Sequence, residues 1–369
     1  MTISHATASR NGNWVLHDYL QVNGGAERLV ITLANGLPGF ELGVSGIYPA
    51  FSQSGDCGAL QPQVVAARHH RLLPRIPRAL AAFSQPQARL RDAQQVIYSG
   101  LYAPLAALKQ ARGKRIFYCH TPPRFAFDQR ERYLARVPAA ARPILSLAIE
   151  RYRAAYLKAL QHMDLVVTNS QHVRERLQAH TGICAEVVYP PIETETFRFI
   201  GQQGYYLSLA RLEPNKRVDR IVRAFLAMPD QQLVIASGGS QLQALKALAN
   251  GAANIRFTGW LDDAGLSQLL GNAIAALYVP QDEDFGMSAV EAMAAGKPLI
   301  GVAEGGLRES VVHERTGLLL PADPSAQSIA TAVRQMSASL ALSMRDACEA
   351  RAAEFSQHQF INAFKQLIC

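Results

Sequence analysis

Short apolar segments rich in β-forming residues alternate with helix-forming segments along almost the whole chain. Such alternation is typical of doubly wound parallel sheets, in which each helix returns the chain to the same end of the sheet. Both halves of the chain show it, so we predict two Rossmann-like α/β domains. The strand-forming segments are NWVLHDY, ELGVSGIY, QVIYSG, RIFYCHT, DLVVTNS and CAEVVYP in the first half and YYLSLARL, LVIASGG, NIRFTGW, AALYVP and LIGVA in the second.

Chain length supports the same division, because 369 residues exceed the size at which a single core usually stops growing. Apolar periodicity lapses and glycines appear in TFRFIGQQG, residues 196–204. We therefore expect an N-terminal domain over residues 1–197 and a C-terminal domain over residues 198–352. The last segment, about residues 353–369, predicts an amphipathic helix that packs back on the N-terminal domain.

Targeting and redox features favour a cytoplasmic protein. No stretch approaches the roughly eighteen consecutive apolar residues of a transmembrane helix. The N-terminal segment MTISHATASRNGN lacks the apolar core of a signal peptide. The five cysteines show no metal-like spacing, and their odd number argues against a disulfide framework.

The net positive charge of the chain lies entirely in its first half. Residues 1–195 hold 22 Lys and Arg against 13 Asp and Glu, a net of +9, whereas residues 196–369 hold 15 against 16, a net of −1. Residues 68–91 contain six arginines and no acidic residue but no nucleic-acid-binding motif and no interleaved aromatics, so a nucleic-acid partner is not expected. An anionic membrane surface or an acidic acceptor suits this segment better. The residues expected at the membrane are Arg68, Arg71, Arg75 and Arg78, with Leu72, Leu73 and Ile76 in shallow apolar contact.

The segment QDEDFGMSAVEAMAAGKPLIG, residues 281–301, predicts a loop and a helix between two buried strands. The predicted helix, MSAVEAMAA, begins after Phe285-Gly286, and its unpaired N–H groups suit an anion. Glu283 precedes the helix and Glu291 follows eight residues later, so both can face one ligand. Two structural alternatives stay open: Ser288 and Glu291 also fit a capping box, and the three consecutive acids also fit a solvated loop.

Two further loops at predicted strand ends carry candidate binding residues. RLEPNKRVD follows a strand and precedes a helix, so Arg211 and Lys216 suit a diphosphate, although an ordinary basic surface loop has the same composition. Gly24 and Gly25 stand before a helix in HDYLQVNGGAERL, where a phosphate or sugar can approach the backbone. The GxGxxG fingerprint is absent, so a nicotinamide or flavin enzyme is not expected. His120 ends the strand RIFYCH and is either a site residue or a satisfied structural histidine.

Together these ordered motifs resemble the family four retaining glycosyltransferases of the GT-B fold, in which two doubly wound domains face each other across a cleft. EDFGMSAVE resembles that family's E-x7-E motif, RLEPNKRVD its Arg-x4-Lys diphosphate site and GGAER its N-domain glycine loop. GGLRESVVHERTGLLL resembles the stretch that follows the motif, so the resemblance covers nearly the full chain. HDYLQVNGGAER, CHTPPR, TNSQHVRERL and YPPIET are most similar to a bacterial subgroup that adds mannose during O-antigen or capsule assembly.

The resemblance implies a metal-independent hexosyltransferase without a cofactor, whose donor is a nucleotide-sugar such as GDP-mannose and whose acceptor is a saccharide or a lipid-linked saccharide. Retention implies attack from the face that the diphosphate leaves, with a leaving phosphate oxygen accepting the proton. The implied catalytic residues are His120, Glu283, Arg211 and Lys216. The implied donor-binding residues are Gly24, Gly25, Arg211, Lys216, Phe285, Gly286, Met287 and Glu291. The enzyme would work in the cytoplasm, peripherally at the inner face of the cell membrane.

Other functional classes fit parts of the sequence. Residues 282–284 match the Asp-x-Asp metal signature of the other large transferase fold, but that fold has a single nucleotide-binding domain and no paired glutamate after the signature. A transferase that uses a UDP-sugar or a sugar-nucleotide epimerase of the same fold remains an alternative. A two-lobed binding protein without catalysis would more often be exported, and no signal peptide is predicted.

Overall fold

A computed structural model describes residues 12–54, 57–86, 90–91 and 93–368 of the chain. The expected absence of a signal peptide concerns residues 1–11, which lie outside the described residues, as do Arg89 of the basic segment and Cys369. The chain divides into two compact units. The first comprises the described residues up to Asn169, Val173–Val188 and Ile368; the second comprises Ser170–His172 and Tyr189–Leu367.

The first unit is built on a parallel sheet that has seven strands within the described residues, in the order β3-β2-β1-β4-β5-β6-β7. The central strands are buried from Val96 onward in β4 and from Ile116 onward in β5, because helices cover both faces of such a sheet. The strands are β1 Asn13–His17, β2 Phe40–Val44, β3 Gln63–Val64, β4 Gln95–Ser99, β5 Lys114–Cys119, β6 Leu165–Thr168 and β7 Glu186–Val187. The helices are α1 Gly25–Gly36, α2 Pro49–Ser54, α3 Arg75–Ser84, α4 Arg130–Leu134, α5 Arg142–Leu160 and α6 Gln171–Thr181, and 3₁₀ helices span Arg68–Leu72, Ala103–Lys109 and Ala139–Ala141.

The second unit contains another parallel sheet, with six strands in the order β10-β9-β8-β11-β12-β13 across its described residues. Its strands are β8 Tyr205–Ser208, β9 Gln232–Ala236, β10 Ile255–Gly259, β11 Ala276–Tyr278, β12 Leu299–Val302 and β13 Gly317–Leu320. Its helices are α7 Val218–Leu226, α8 Leu242–Ala249, α9 Asp263–Asn272, α10 Met287–Ala294, α11 Leu307–Ser310, α12 Ala326–Gln335, α13 Ala338–Ser343, α14 Arg345–Ala353 and α15 Gln357–Ile368, with a 3₁₀ helix at Pro214–Lys216.

Each unit has a hydrophobic core of its own, which is why each sheet is stable as a separate layer. In α7 the apolar residues recur at helical spacing and point into the core of the second unit. Val218, Ile221, Val222 and Phe225 are fully buried there. Complete burial of one such side chain contributes about 1.5–3 kcal/mol.

The two parallel α/β domains predicted from the alternation of strands and helices are confirmed. The units meet in sequence at Val188 and Tyr189, a few residues before the predicted boundary, and α15 groups with the second unit except for its last residue. Packing of the C-terminal helix on the N-terminal domain stays a prediction. Among the described residues, no helix combines the length and apolar character needed to cross a bilayer.

Candidate donor and acceptor sites

Helix α10 begins at Met287, whereas a capping box would require Ser288 to precede the helix. Gly286 is the N-cap of α10, with φ 87° and ψ 57°, and no side chain caps this helix end. Glu291 therefore lies in the second turn, so the capping-box alternative for Ser288 and Glu291 is wrong. Gly286 suits the position because a left-handed backbone is unfavourable for residues with a Cβ. Glu291 is nonetheless only 6% exposed, which is unusual for a carboxylate.

The acidic residues of this loop contact other parts of the second unit, so the solvated-loop alternative is also wrong. The Glu283 carboxylate accepts a hydrogen bond from Lys216 Nζ at 2.5 Å. Asp282 Oδ1 lies 3.1 Å from His172 Nε2. The carbonyl of Asp284 accepts a hydrogen bond from the Ser170 hydroxyl at 2.6 Å. The carboxylates of Asp282 and Glu283 and the backbone of Asp284 are therefore each held by a partner.

Tyr278, the last residue of β11, lies at the centre of the predicted donor residues. Lys216 Nζ donates to the Tyr278 hydroxyl at 2.9 Å and lies 5.2 Å from the centroid of its ring. Burial raises the pKa of Tyr278 well above its usual value, the charge of Glu283 and then that of Glu291 add to this effect, and Arg211 opposes it. The structure thus joins Lys216 directly to Tyr278 and Glu283, and the charges of Arg211 and Glu291 act on the same buried phenol.

Glycines allow the loop to pack directly on the segment that follows β12. A Cβ on Gly305, whose φ is +60°, would lie 2.3 Å from the carbonyl oxygen of Glu283. A Cβ on Gly306 would lie 2.4 Å from Cα of Phe285. The N–H of Gly306 donates to the Glu283 carbonyl at 2.9 Å. These close contacts fix the direction of the Glu283 side chain and the start of α10.

The loop after β8 is tied to the same place. Gln281 N–H donates to the Asn215 carbonyl at 2.7 Å, and Asn215 lies in the 3₁₀ helix that ends at Lys216. The next residue, Arg217, has φ 52° and is buried, and its guanidinium donates to Glu304 at 3.2 Å and to the Ala322 carbonyl at 2.6 Å. Arg217 is therefore a structural residue. Arg211 is exposed and available to a ligand.

In the first unit, α1 begins at Gly25, and Gly24 is its N-cap in an extended conformation with φ −93°. No side chain caps this helix end. A Cβ on Gly24 would lie 2.8 Å from a carboxylate oxygen of Glu27, so the glycine leaves room for that side chain against the helix start. Uncapped N–H groups at a helix start are suited to a phosphate.

His120 follows β5 and belongs to a hydrogen-bonded chain that the sequence did not predict. Its Nε2 lies 2.7 Å from the Ser99 hydroxyl, which lies 3.1 Å from Nδ1 of His17. Burial, with a smaller contribution from His17, lowers the pKa of His120 to about 3. Burial also lowers the pKa of His17 to about 4, against an opposing hydrogen bond with Ser99. Both imidazoles are therefore neutral at neutral pH.

Asp18 joins the ends of β1 and β4. Its carboxylate accepts hydrogen bonds from the N–H groups of Leu101, Tyr102 and Ala103 at 2.7–2.8 Å. Gly100 has φ +105°, and a Cβ there would lie 2.5 Å from the Asp18 carboxyl carbon, so only glycine permits this approach. Burial raises the pKa of Asp18 to about 6 despite the three donors.

The four arginines expected at a membrane fall into two pairs. Arg68 and Arg71 are exposed beside Leu72, which is 92% exposed. Arg75 and Arg78 are half-buried, and each guanidinium lies over a tyrosine ring. One role was predicted for all four arginines, whereas their surroundings differ.

The residues that sequence reasoning missed are Tyr278, His17, Asp18 and Ser99. Each stands at or next to the carboxyl end of a strand, the position where parallel sheets bind ligands, and that position was the available signal. Within the described part of the chain, no group of three or more His, Cys, Asp or Glu side chains is arranged to hold a metal ion. The described cysteines, which are Cys57, Cys119, Cys184 and Cys348, form no disulfide with one another.

Family models match both halves of the chain. A model described as "Glycosyltransferase Family 4" matches residues 23–196, and one described as "Glycosyl transferases group 1" matches residues 193–355. Among solved structures, sucrose-phosphate synthase from Thermosynechococcus elongatus superposes with a TM-score of 0.76 at 18% identity, covering 96% of this chain and 98% of that one. Anabaena Alr3699/HepE, solved with UDP and glucose, gives a TM-score of 0.72 at 16% identity, covering 96% and 99%. These likenesses show the shared fold.

Two sequence relatives are mannosyltransferases. Alpha-1,3/1,6-mannosyltransferase ALG2 of Mus musculus is 27% identical over 301 residues, which is 72% of this chain and 70% of the mouse protein. The GDP-mannose-dependent alpha-(1-6)-phosphatidylinositol monomannoside mannosyltransferase of Mycobacterium tuberculosis is 29% identical over 202 residues, 47% of this chain. The chain spans 52% of that protein's length and 59% of the human ALG2 protein.

Proposed function

This chain belongs to the glycosyltransferases, since their two family models together span residues 23–355, and from that premise we propose that it is a retaining mannosyltransferase that uses GDP-mannose. The acceptor in this proposal is a saccharide or a lipid-linked saccharide of a bacterial surface polysaccharide, such as an O-antigen or capsule. The observation that carries the proposal is the cluster around Tyr278, whose charges suit a nucleoside diphosphate. The names of the mannosyltransferase relatives support mannose as the sugar.

The second unit supplies the groups that hold the donor. Lys216 has three N–H donors and uses two on Glu283 and Tyr278, so the third is free to reach a phosphate oxygen. Arg211, exposed beside Tyr278, adds a second positive charge. Together they would offset the charge that develops on the departing diphosphate, a form of stabilisation that often dominates catalysis.

The loop and α10 complete the donor site in this proposal. The N–H groups of Phe285, Gly286 and Met287 lie at the uncapped start of α10, where they would donate to the sugar and phosphate. Glu283 would accept a hydrogen bond from a sugar hydroxyl and Glu291 would accept hydrogen bonds from the ribose hydroxyls. Glu291 is held in α10 and buried, which suits a carboxylate that binds hydroxyls without catalysing proton transfer.

The first unit supplies His120, Gly24 and Gly25. The neutral imidazole of His120 would contact the sugar near the anomeric carbon without adding a charge there. The acceptor hydroxyl would attack from the face that the diphosphate leaves: the new glycosidic bond forms as the sugar–phosphate bond breaks, and a phosphate oxygen takes the hydroxyl proton. No side chain then forms a covalent bond to the sugar, and no metal ion is required.

A thermal-shift series with GDP-mannose, UDP-glucose and ADP-glucose tests the donor. A ligand at 100 times its Kd stabilises a protein by about 2.7 kcal/mol, so GDP-mannose should raise the melting temperature most. A larger rise in melting temperature with UDP-glucose than with GDP-mannose would contradict GDP-mannose as the donor and indicate UDP-glucose. Transfer that stops in EDTA would contradict the metal-independent reaction. Exchange of isotope at a sugar carbon without any acceptor would indicate an epimerase.

A further inference from the structure

Two arginines of α3 contact tyrosines that follow neighbouring strands of the first unit. Cζ of Arg75 lies 5.1 Å from the ring centroid of Tyr19, and Cζ of Arg78 lies 5.5 Å from that of Tyr48. The two tyrosine rings pack edge to face with their centroids 6.0 Å apart. Tyr19 comes directly after Asp18, so this Arg and Tyr cluster lies at the carboxyl edge of the sheet, where His120 also lies.

Arg75 and Arg78 differ in the hydrogen bonds that their guanidinium groups make. Arg78 donates to the carbonyl of Leu73 at 3.2 Å and to the carbonyl of Arg71, so it fastens the end of the preceding 3₁₀ helix. Arg75 makes no side-chain hydrogen bond or ion pair with any described residue, and its Nε is buried without an acceptor, as is that of Arg78. A buried N–H of a charged group is costly to leave unpaired. Arg75 is therefore held by stacking on Tyr19, and among the described residues none accepts a hydrogen bond from its guanidinium.

The groups around Arg75 suit an anion attached to a larger molecule. Burial and then the Asp18 charge raise the pKa of Tyr19 and of Tyr102, and Arg75 opposes this rise in both, so its charge acts on both phenols. The Asp18 carboxylate is occupied by three backbone donors and so does not pair with Arg75. Tyr133, which is 37% exposed, raises the pKa of Tyr102 as well and extends the aromatic surface toward solvent.

We propose that Arg75 binds the phosphate of a phosphorylated, lipid-linked acceptor, with Tyr19 and Tyr102 contacting the groups attached to that phosphate. The guanidinium fork matches the geometry of two phosphate oxygens. A bilayer headgroup is the weaker fit, because Arg75 is half-buried and stacked whereas Arg68 and Arg71 are exposed. This inference rests on the proposed glycosyl transfer, since it names the chemistry of the acceptor.

Calorimetric titration with farnesyl diphosphate, in the presence of saturating GDP to fill the donor site, tests the proposal. Arg75→Gln should weaken farnesyl diphosphate binding by about 10- to 100-fold, the effect of losing a charge-assisted hydrogen-bonded pair. The matched control is Arg112→Gln, an exposed arginine outside the basic segment, which should change affinity by less than about twofold. In the transfer assay, Arg75→Gln should raise KM for the acceptor and leave KM for the donor unchanged.

Further binding measurements distinguish a lipid-linked phosphate from a free phosphate and from a bilayer headgroup. Inorganic pyrophosphate that binds as tightly as farnesyl diphosphate and is equally sensitive to Arg75→Gln would mean a free-phosphate site and overturn the lipid-linked acceptor. Loss of binding to phosphatidylglycerol vesicles with unchanged farnesyl diphosphate affinity would mean a bilayer contact and overturn it as well. Equal affinities in the parent and Arg75→Gln proteins also contradict the proposal.

Arg75→Lys covers the case in which Arg75→Gln does not fold, because it keeps the charge and should retain part of the affinity. GDP binding is measured separately on every protein. Its absence would contradict the proposed donor, while farnesyl diphosphate titrated without GDP would still decide the role of Arg75.

Discussion

The two units have the same type of sheet, but the side chains at their strand ends differ in charge. Around Tyr278 in the second unit the side chains are charged and paired, with Lys216 between a phenol and a carboxylate. Around Ser99 in the first unit, two histidines are kept neutral by burial. Parallel sheets place ligands at this edge in both cases, so the side chains alone decide which ligand each edge suits.

The difference assigns separate tasks to the two edges. A charged, paired cluster suits a diphosphate whose charge grows as it leaves. The neutral imidazoles around Ser99 suit an uncharged sugar or an acceptor hydroxyl, whereas the charged Arg75 on the same edge suits an acceptor phosphate.

Replacing Lys216 removes the central charge of the donor edge. Lys216→Ala should lower kcat by roughly 10²–10³, as for loss of one donor to transition-state charge. Lys216→Arg should recover part of the rate, because it restores the charge with a different geometry. Steady-state transfer kinetics measure both, with Lys246→Ala on the exposed side of α8 as the control. Parent-like turnover in Lys216→Ala would end the assignment of this edge to the diphosphate.

Replacing Glu291 separates binding from folding at the same edge. Glu291→Ala should weaken GDP affinity by about 10- to 100-fold, since carboxylate hydrogen bonds contribute roughly 1.5–3 kcal/mol. Because Gly286 rather than Ser288 caps α10, loss of a capping box is not expected to lower stability. Calorimetric titration with GDP and thermal unfolding of the same samples give the two quantities. Unchanged GDP affinity would leave Glu291 without the role proposed for it.

The neutral histidines of the first unit predict sensitivity to acid. An unfolded histidine binds a proton below about pH 6.5, whereas His17 in the folded protein does so only near pH 4. Its contribution to stability is therefore lost as pH falls from about 6.5 to about 4, by about 2 kcal/mol between pH 7 and pH 5.

Denaturant unfolding of the parent and His17→Gln proteins at several pH values measures this contribution. Asp18 contributes with the opposite sign in the same range, because its pKa is raised to about 6. The difference between the two proteins isolates His17. A constant difference from pH 7 to pH 5 would show that His17 titrates normally and that this edge is not kept neutral.

The smallest effect concerns the exposed basic pair beside Leu72. Arg71→Gln should weaken binding to anionic vesicles by about 1 kcal/mol, or roughly fivefold, since each basic residue near such a surface contributes about that much. Co-sedimentation with vesicles at low and high salt measures it, and Arg78→Gln is not an equivalent control because Arg78 holds the loop. Equal binding to neutral and to anionic vesicles would contradict the expected contact with an anionic membrane.

Local patterns in the sequence were enough for the strands, the helices and the charged residues of the donor edge. The alternation near residues 276–302 placed β11, α10 and β12. The pairing of Lys216 with Glu283 could not be predicted, because it joins residues 67 positions apart. The capping box was wrong because Gly286, with its left-handed backbone, is the N-cap, two residues before Ser288, and the loop before it packs against Gly305 and Gly306.

The first unit was harder to predict for the same physical reason. His17 and Ser99 are 82 positions apart, and Asp18 is bound to donors more than 80 positions away. Such contacts depend on the order of the strands in the sheet, which cannot be deduced from a single sequence. The different surroundings of the four arginines also follow from tertiary contacts, since Arg71 and Arg75 are only four positions apart in one basic segment.

Transfer of labelled mannose is the most direct test of the central claim, that the charged edge of the second unit holds GDP-mannose for a retaining transfer. The protein is incubated with GDP-[14C]mannose and a membrane lipid extract, and the product is treated with α-mannosidase. The account predicts a labelled product, released by α-mannosidase and lost with Lys216→Ala. Transfer from UDP-glucose but not GDP-mannose, or a mannosylated product that resists α-mannosidase and has a β-anomeric signal by NMR, would contradict it.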